Sequence, residues 1–269
     1  MVTLADALRD GAARLQEISD TPRLDVELLM AHALGTTRDA LLLGDLTRAC
    51  PAGFAPLLAR RLAAEPVAYI IGHKGFWSID LAVTPAVLLP RPETEGLIEA
   101  AMDHFGARSP RRILDLGTGS GALLLAALTQ WPDAVGEGVD RSKAALTVAA
   151  ANAWRLGLEA RARFIEGGWK GDPGADLILC NPPYIATGEV LPASVARYEP
   201  ASALFAGKDG LDDYRVIAEV IDFAPGGVAC IEIGATQGAV VSALFAAMGF
   251  AVSLRRDLAG LDRTLVITR

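Results

Sequence analysis

A glycine-rich loop between a strand and a helix limits the fold of this chain more than any other segment. Arg111 to Leu116 has the pattern of a short buried strand, and the glycine-rich residues Gly117 to Gly121 follow it directly. Ala122 to Leu128 is wholly apolar and predicts a buried helix. Glycines let a backbone approach a ligand closely, and a helix N-terminus presents free N–H groups. This order of elements predicts a nucleotide-type site on an α/β fold.

An acid at the end of the next strand is a second signal of such a site. Val135 to Val139 predicts a strand, and Asp140 follows it about 20 residues beyond the glycine loop. A carboxylate at that place can accept hydrogen bonds from ribose hydroxyls. Asp140 also precedes Ser142, which begins a predicted helix, so a helix-capping role is the alternative.

Strands and helices alternate from about residue 108 onward, which indicates a parallel, doubly wound sheet. Further strands are predicted over 161–166, 175–180 and 227–233. The last two strands, over 251–255 and 263–268, are joined by a connection so short that we expect them to be antiparallel.

Four positions of possible chemistry follow the ends of predicted strands, namely Gly117, Asp140, Trp169 and Asn181. In an open α/β sheet, ligands bind beyond the carboxyl ends of the strands. We therefore expect these four positions to converge on one rim of the sheet.

The tetrapeptide Asn181-Pro182-Pro183-Tyr184 stiffens the backbone after the fourth of these strands, because proline has a fixed φ and restricts the residue before it. The Asn181 side-chain oxygen and a backbone carbonyl could accept the two N–H bonds of an NH2 group. Tyr184 could pack on the planar group that carries it. This pattern favours chemistry on an amide or exocyclic amine nitrogen, and a plain stiff turn is the alternative.

The glycine loop alone does not decide the cofactor, because Gly117-x-Gly119-x-x-Ala122 also satisfies the dinucleotide pattern. Two features favour S-adenosylmethionine. The third glycine comes one residue early, with Asp115 two residues before the first. The loop also has no Lys or Arg to neutralise a pyrophosphate. Taken together with the tetrapeptide, these features favour S-adenosylmethionine over a nicotinamide dinucleotide.

The first part of the chain differs in character from the rest. Residues 2–64 predict a small bundle of four or five helices, the second of which begins at Thr21-Pro22 and ends at Gly35. Val67 to Ile71 and Phe76 to Val83 are interpreted as a β-hairpin, with glycines 72 and 75 in its turn.

Bulk composition narrows the function classes. The 269 residues carry a net charge of −7, which disfavours a basic nucleic-acid surface. No apolar run has the length of a membrane helix, and the N-terminus does not resemble a signal sequence, so we expect a cytoplasmic protein. Three isolated cysteines and three scattered histidines predict neither disulfides nor a metal site.

The sequence resembles the PrmC/HemK family of peptide chain release factor glutamine N(5)-methyltransferases over nearly its whole length. The resemblance lies in the glycine loop, the tetrapeptide and several further segments, of which the stretch Leu89 to Glu95 is the most specific. The others are Glu65 to Gly72, Phe76-Trp77, Ile113 to Gly121, Asn181 to Ile185, Arg197 to Pro200, Gly207 to Leu211, Glu232 to Gly234 with Gln237, and Asp257 to Arg263. Gly168 departs from the family pattern, which often has Asp before the tryptophan.

The resemblance implies a Rossmann-like class I methyltransferase with a seven-stranded sheet. It implies an N-terminal helical domain for substrate recognition over 1–65, a β-hairpin linker over 66–84 and an S-adenosylmethionine-dependent methyltransferase domain over 85–269. The residues expected to contact the cofactor are Gly117, Thr118, Gly119, Ser120, Gly121, Asp140, Trp169 and Asn181.

The same resemblance implies that Asn181, Pro182, Pro183 and Tyr184 hold the glutamine of a Gly-Gly-Gln loop in a release factor. We expect the Asn181 oxygen and the Pro182 carbonyl to accept the two amide hydrogens, while Tyr184 packs against the amide plane. The catalytic residues would be Asn181, Pro182 and Tyr184, with no metal and no strong general base.

The sequence is compatible with three alternative functions. A glutamine methyltransferase acting on a ribosomal protein would have nearly the same motifs. An adenine N6 methyltransferase of DNA or RNA shares the tetrapeptide but needs a basic groove, which the net charge disfavours. A noncatalytic cofactor-binding module is the third, and the intact loop, acid and tetrapeptide argue against it.

Overall fold

A computed structural model describes residues 2–269 and divides the chain into two compact units. The first unit extends to His73 and also includes Leu191–Tyr198. The second unit holds Lys74–Val190 and Glu199–Arg269. The functional division into a recognition domain, a linker and a catalytic domain stays a prediction.

The first unit is helical. Its helices are α1 (Leu4–Arg14), α2 (Pro22–Leu34), α3 (Arg38–Leu42), α4 (Phe54–Leu62), α5 (Val67–Ile71) and, from the later segment, the ninth helix of the chain, α9 (Ala193–Tyr198). Apolar side chains of α1, α2 and α4 form its core, among them Leu4, Leu29 and Leu58. Proline at the start of α2 and left-handed Gly35 at its end set the limits of that helix. The predicted helical bundle over residues 2–64 is confirmed.

The predicted β-hairpin was wrong over residues 67–71, where the chain forms helix α5. Pro66 has φ −59°, and its carbonyl accepts the backbone N–H bonds of Tyr69 and Ile70, which starts a helical turn. Gly72 then ends the helix with φ 83°. The hairpin that does form pairs β1 (His73–Phe76) with β2 (Ile79–Ala82), so its turn lies at Trp77 and Ser78.

The second unit is built on the predicted seven-stranded sheet. Its strands are β3 (Arg112–Leu116), β4 (Val135–Asp140), β5 (Ala162–Glu166), β6 (Leu177–Cys180), β7 (Val228–Glu232), β8 (Ala251–Arg256) and β9 (Asp262–Thr268). The spatial order is β5-β4-β3-β6-β7-β9-β8. The first five strands are parallel, and β9 is antiparallel to both β7 and β8. The prediction of a mostly parallel sheet with an antiparallel last pair is confirmed.

Helices cover both faces of this sheet. They are α6 (Gly96–Phe105), α7 (Ala122–Gln130), α8 (Lys143–Arg155), α10 (Asp212–Val220) and α11 (Gly238–Ala247). Successive residues of a strand point to opposite faces. Ile113 accordingly packs with α6 and α7, whereas Leu114 and Leu116 pack with α10 and α11. The sheet is therefore buried on both sides, as in doubly wound α/β folds.

Within residues 2–269, no helix is both long enough and apolar enough to cross a membrane. The same part of the chain contains no group of three or more His, Cys, Asp or Glu side chains that could hold a metal ion.

Candidate active site

The sheet register brings the predicted site residues to one rim. Leu116, the last residue of β3, pairs with Val139 on one side and with Cys180 on the other. The residues that follow these three positions are Gly117, Asp140 and Asn181. Asp140 ends β4, while Gly117 and Asn181 directly follow β3 and β6. The chain order of the strands runs outward from β3 in both directions, so this rim is the switch point at which such folds bind ligands.

The glycine loop depends on left-handed backbone conformations. Gly117, Gly119 and Gly121 have φ values of 72°, 55° and 82°, which side chains with a Cβ rarely adopt. The Val139 carbonyl accepts the N–H of Gly117 at 2.9 Å and the N–H of Thr118 at 3.0 Å. These bonds hold the loop over the end of the neighbouring strand β4.

Asp140 supports both the loop and the helix after it. Its Oδ2 accepts the N–H of Gly119 at 2.9 Å, and its Oδ1 accepts the N–H of Ser142 at 2.8 Å. The cap of α8 is Ser142, whose hydroxyl oxygen accepts the N–H of Ala145 at 3.2 Å. A carboxylate oxygen can accept more than one hydrogen bond, so Asp140 keeps acceptor capacity for a ligand.

Asp115 is buried beneath the loop and is only 1% exposed. Its Oδ2 accepts hydrogen bonds from the Thr118 hydroxyl at 2.7 Å and from the N–H of Leu124 at 3.2 Å. Its Oδ1 has no hydrogen-bond partner among residues 2–269. Burial raises the pKa of Asp115 to about 7, although these two hydrogen bonds act in the opposite direction.

Trp169 lies directly over the first glycine of the loop. A Cβ built on Gly117 would come within 3.2 Å of the Trp169 ring, so glycine at 117 makes room for the indole. The indole N–H donates to Asp213 Oδ1 at 2.9 Å, which fixes the ring. A Cβ at Gly168 would meet no atom within 4 Å, so there is open space at the position where the family often has Asp.

Asn181 belongs to a chain of hydrogen bonds that includes residues far apart in sequence. Its Nδ2 donates to the Thr94 hydroxyl oxygen at 3.2 Å. The Thr94 hydroxyl donates to Glu232 Oε2 at 2.5 Å, and the Tyr184 hydroxyl donates to Glu232 Oε1 at 3.2 Å. Thr94 and Glu232 are buried, so this network is shielded from solvent.

Opposing effects act on the charge of Glu232. Burial raises the pKa of its carboxyl above the ordinary value, and the Thr94 hydrogen bond, the positive charge of Arg263 and the Tyr184 hydrogen bond offset only part of that rise. Burial beside this carboxyl raises the pKa of Tyr184 far above its ordinary value, so its phenol is neutral and donates. Gln237 also holds the tetrapeptide, because its Nε2 donates to the Tyr184 carbonyl at 3.0 Å.

These groups surround an open cleft with a cavity volume of about 180 Å³. The predicted site residues that line it are Gly117, Gly119, Asp140, Trp169, Asn181 and Pro183. Thr118 and Ser120 of the loop are buried, and Gly121 packs against Leu125 and Ala149. Pro182 is buried and Tyr184 is directed towards Glu232. The cofactor and substrate roles of all these residues stay predictions.

Sequence reasoning gave no site role to the segments 86–88, 141–145 and 200–203, members of which also line the cleft. Arg141 of the second segment donates to the Ser202 carbonyl of the third, so these two segments are joined. Thr94 and Glu232 were missed as site residues as well. Both lie in segments that resemble the family, but the resemblance did not assign a role to either residue.

The seven-stranded sheet with its antiparallel β9, the glycine loop at its switch point and the acid that ends β4 give the fold of a class I methyltransferase. A solved methyltransferase from Pyrococcus furiosus agrees with this fold: it is 17% identical, its match covers 79% of this chain and 97% of that one, and its TM-score is 0.53. Family models match residues 6–72 as the PrmC N-terminal domain and residues 97–198 as the methyltransferase small domain.

Curated relatives specify the family. The release factor glutamine methyltransferase of Rhodospirillum rubrum is 41% identical, over 100% of this chain and 86% of its own length. That of Caulobacter vibrioides is 40% identical, over 98% and 96% respectively. The chain belongs to the release factor glutamine methyltransferase family, and S-adenosylmethionine is its methyl donor.

The cleft fits this cofactor in two respects. Gly117 and the Trp169 ring that packs on it both line the cleft, so a ligand there can contact the loop and the indole together. Asp140 retains acceptor capacity for ribose hydroxyls. The loop itself carries no cation, and S-adenosylmethionine has no pyrophosphate that would require one.

Proposed function

We propose that this protein transfers a methyl group to the side-chain amide nitrogen of the glutamine in the Gly-Gly-Gln motif of peptide chain release factors. Family membership supports the reaction class, and the relatives' names supply the substrate class. The observation that carries the proposal is the Asn181 carboxamide. Asn181 lines the cleft together with Gly117, and its Nδ2 donates a hydrogen bond to the Thr94 hydroxyl oxygen.

Positioning is the main demand of this reaction. An amide nitrogen is a weak nucleophile because its lone pair is delocalised into the carbonyl. S-adenosylmethionine supplies the strong electrophile, a methyl group on a sulfonium. The protein must therefore hold the glutamine nitrogen in line with that methyl, at about 3–3.5 Å. No strong general base is needed before the transfer.

Asn181 and Pro182 would supply that positioning. The side-chain oxygen of Asn181 and the carbonyl of Pro182 are two acceptors on a stiff backbone, which suits the two N–H bonds of a primary amide. Both oxygens would also stabilise positive charge that develops on the nitrogen. Pro183 and Tyr184 complete the wall, with the Tyr184 ring against the amide plane and its hydroxyl on Glu232.

The cofactor end would be held by the glycine loop, Gly117 to Gly121, with Asp140 on the ribose and Trp169 beside the loop.

The first unit would recognise the release factor. Because that substrate works with ribosomes, we propose a cytoplasmic location. A direct contact with nucleic acid has no part in the proposal.

Substitution of Asn181 tests the proposed positioning. Asn181→Ala removes one of the two proposed acceptors, so we expect turnover to fall about 100-fold or more while S-adenosylmethionine binding remains measurable. Turnover is measured as methyl transfer to a purified release factor, and cofactor binding by calorimetry. Turnover close to that of the wild type would show that Asn181 does not hold the substrate.

The substrate is tested with labelled S-adenosylmethionine and a panel of release factors, ribosomal proteins, RNA and DNA. The proposal predicts label on the glutamine of Gly-Gly-Gln, located by mass spectrometry. Label on a ribosomal-protein glutamine, or on adenine, would replace the proposed substrate. Cofactor binding without transfer to any of them would point to a noncatalytic module.

A further inference from the structure

We infer that Thr94 and Glu232 orient the Asn181 carboxamide, so that its oxygen rather than its NH2 group faces the substrate amide. The two residues act through Asn181 and are positioning residues. The inference rests on the proposed function, since it concerns how that site holds an NH2 group.

The direction of the hydrogen bonds follows from counting protons. A threonine hydroxyl has one proton to donate and lone pairs to accept with. The Thr94 hydroxyl donates its one hydrogen bond to Glu232 Oε2 at 2.5 Å. Towards Asn181 the hydroxyl can then only accept, and the group that meets it at 3.2 Å is the Nδ2 amine.

The Glu232 carboxylate is arranged as an acceptor on both oxygens. The Tyr184 hydroxyl donates to Oε1 at 3.2 Å while the Thr94 hydroxyl donates to Oε2. Burial raises the pKa of this carboxyl, and the two hydroxyl donors and the positive charge of Arg263 counter that rise in favour of the ionised form. Both hydroxyl protons are thus drawn towards Glu232, which leaves the Thr94 lone pairs for Asn181.

The orientation of Asn181 decides what the cleft offers to a substrate. With Nδ2 on Thr94, the side-chain oxygen is left for the N–H of an incoming amide. The opposite orientation would set an NH2 group against the substrate NH2, two donors with no acceptor between them. Asn181 fixes the substrate only if its own amide is fixed first, and the tetrapeptide alone does not do this.

The test compares two substitutions at Thr94. Thr94→Val keeps the shape and removes the hydroxyl, whereas Thr94→Ser keeps the hydroxyl. Ser242→Ala is the matched control, because the buried Ser242 hydroxyl has no hydrogen-bond partner among residues 2–269. For each protein we measure kcat and KM with a release factor, the S-adenosylmethionine Kd by calorimetry, and the melting temperature.

Thr94→Val is expected to lower kcat about tenfold, the cost of one lost orienting hydrogen bond, with KM and the cofactor Kd within about twofold of the wild type. Thr94→Ser should restore most of the turnover, and Ser242→Ala should match the wild type. In ¹H–¹⁵N spectra of the unliganded protein, the Asn181 side-chain NH2 should exchange faster with solvent in Thr94→Val than in Ser242→Ala. Its signals are assigned by their loss in Asn181→Ala.

Glu232→Gln gives a second, independent variant in case Thr94→Val fails to fold. A glutamine can accept on one oxygen only, so its NH2 must face either Thr94 or Tyr184. In both arrangements one hydroxyl loses its acceptor. We expect a fall in kcat of tenfold or more with cofactor affinity retained.

Two results would overturn the inference. One is wild-type kcat in Thr94→Val and Glu232→Gln. The other is a parallel loss of kcat, cofactor affinity and melting temperature, which would reveal a structural role only. The proposed function fails separately, if the wild type does not methylate release factors. If the wild type instead methylates another amide or amine, the same comparison on that acceptor tests the inference.

Discussion

Asp115 makes the stability of this protein depend on pH in a direction opposite to that of most carboxylates. The carboxyl is 1% exposed, and one of its oxygens has no partner within residues 2–269. Burial raises its pKa from an ordinary 3.8 to about 7. Between these values the folded chain keeps a proton that the unfolded chain releases, so the free energy of unfolding falls as pH rises.

The size of this effect follows from the difference in pKa. One pKa unit corresponds to about 1.4 kcal/mol, so the full loss between pH 3.8 and neutral pH is about 4 kcal/mol. Over the practical range from pH 5.5 to pH 8, the loss is about 2 kcal/mol. Asp115→Asn cannot ionise, so the variant should lack this part of the pH dependence.

The assay is urea unfolding followed by tryptophan fluorescence. The tryptophans 77, 131, 154 and 169 all lie in the second unit, so the signal reports on the sheet that contains Asp115. We expect the stability of Asp115→Asn relative to the wild type to rise by about 2 kcal/mol from pH 5.5 to pH 8. The exposed Asp133→Asn serves as the control and should follow the wild type. A relative stability of Asp115→Asn that stays constant over this range would refute the reasoning.

Two further predictions concern the cleft and the helical unit. Gly117→Ala should weaken S-adenosylmethionine binding about tenfold in calorimetry and cost about 1–2 kcal/mol of stability, because φ is 72° and the new methyl would crowd Trp169. Gly157→Ala introduces similar backbone strain, at φ 67°, but its new methyl would meet no neighbouring atom, so we expect the affinity for S-adenosylmethionine to stay that of the wild type. Equal affinities in the two variants would contradict the expectation that crowding at Trp169 weakens cofactor binding. Asp25→Ala leaves the buried Arg61 unpaired across a former 2.7 Å contact and should lower the unfolding free energy by about 3–5 kcal/mol, measured by circular dichroism. Asp10→Ala breaks only an exposed pair with Arg14, so it should lower the unfolding free energy by less than about 1 kcal/mol. A similar loss of unfolding free energy in both variants would contradict the larger contribution expected of the buried pair.

The elements that the sequence predicted well are those whose signal is local. Apolar runs of strand and helix length gave all seven strands of the main sheet, and the short last connection gave its antiparallel pair. The Val67–Ile71 segment was misread because a short apolar run suits a strand and a buried helix equally well. The Pro66 start and the left-handed Gly72 end decided for the helix.

The candidate site divides in the same way. Gly117, Asp140, Trp169 and Asn181 could be placed on one rim because parallel strands end at the same edge of a sheet. Thr94 could not, since its partners are distant in sequence. Its hydroxyl meets Asn181 from 87 positions away and Glu232 from 138 positions away.

By itself, the sequence determined the alternation of strands and helices, the left-handed turns of the glycine loop and the stiff backbone of Asn-Pro-Pro-Tyr, because each depends on backbone preferences of neighbouring residues. Only the tertiary structure decided which way the Asn181 carboxamide points and why the pKa of Asp115 is raised. Both depend on hydrogen-bond partners and burial that exist only after distant segments have met in the folded sheet.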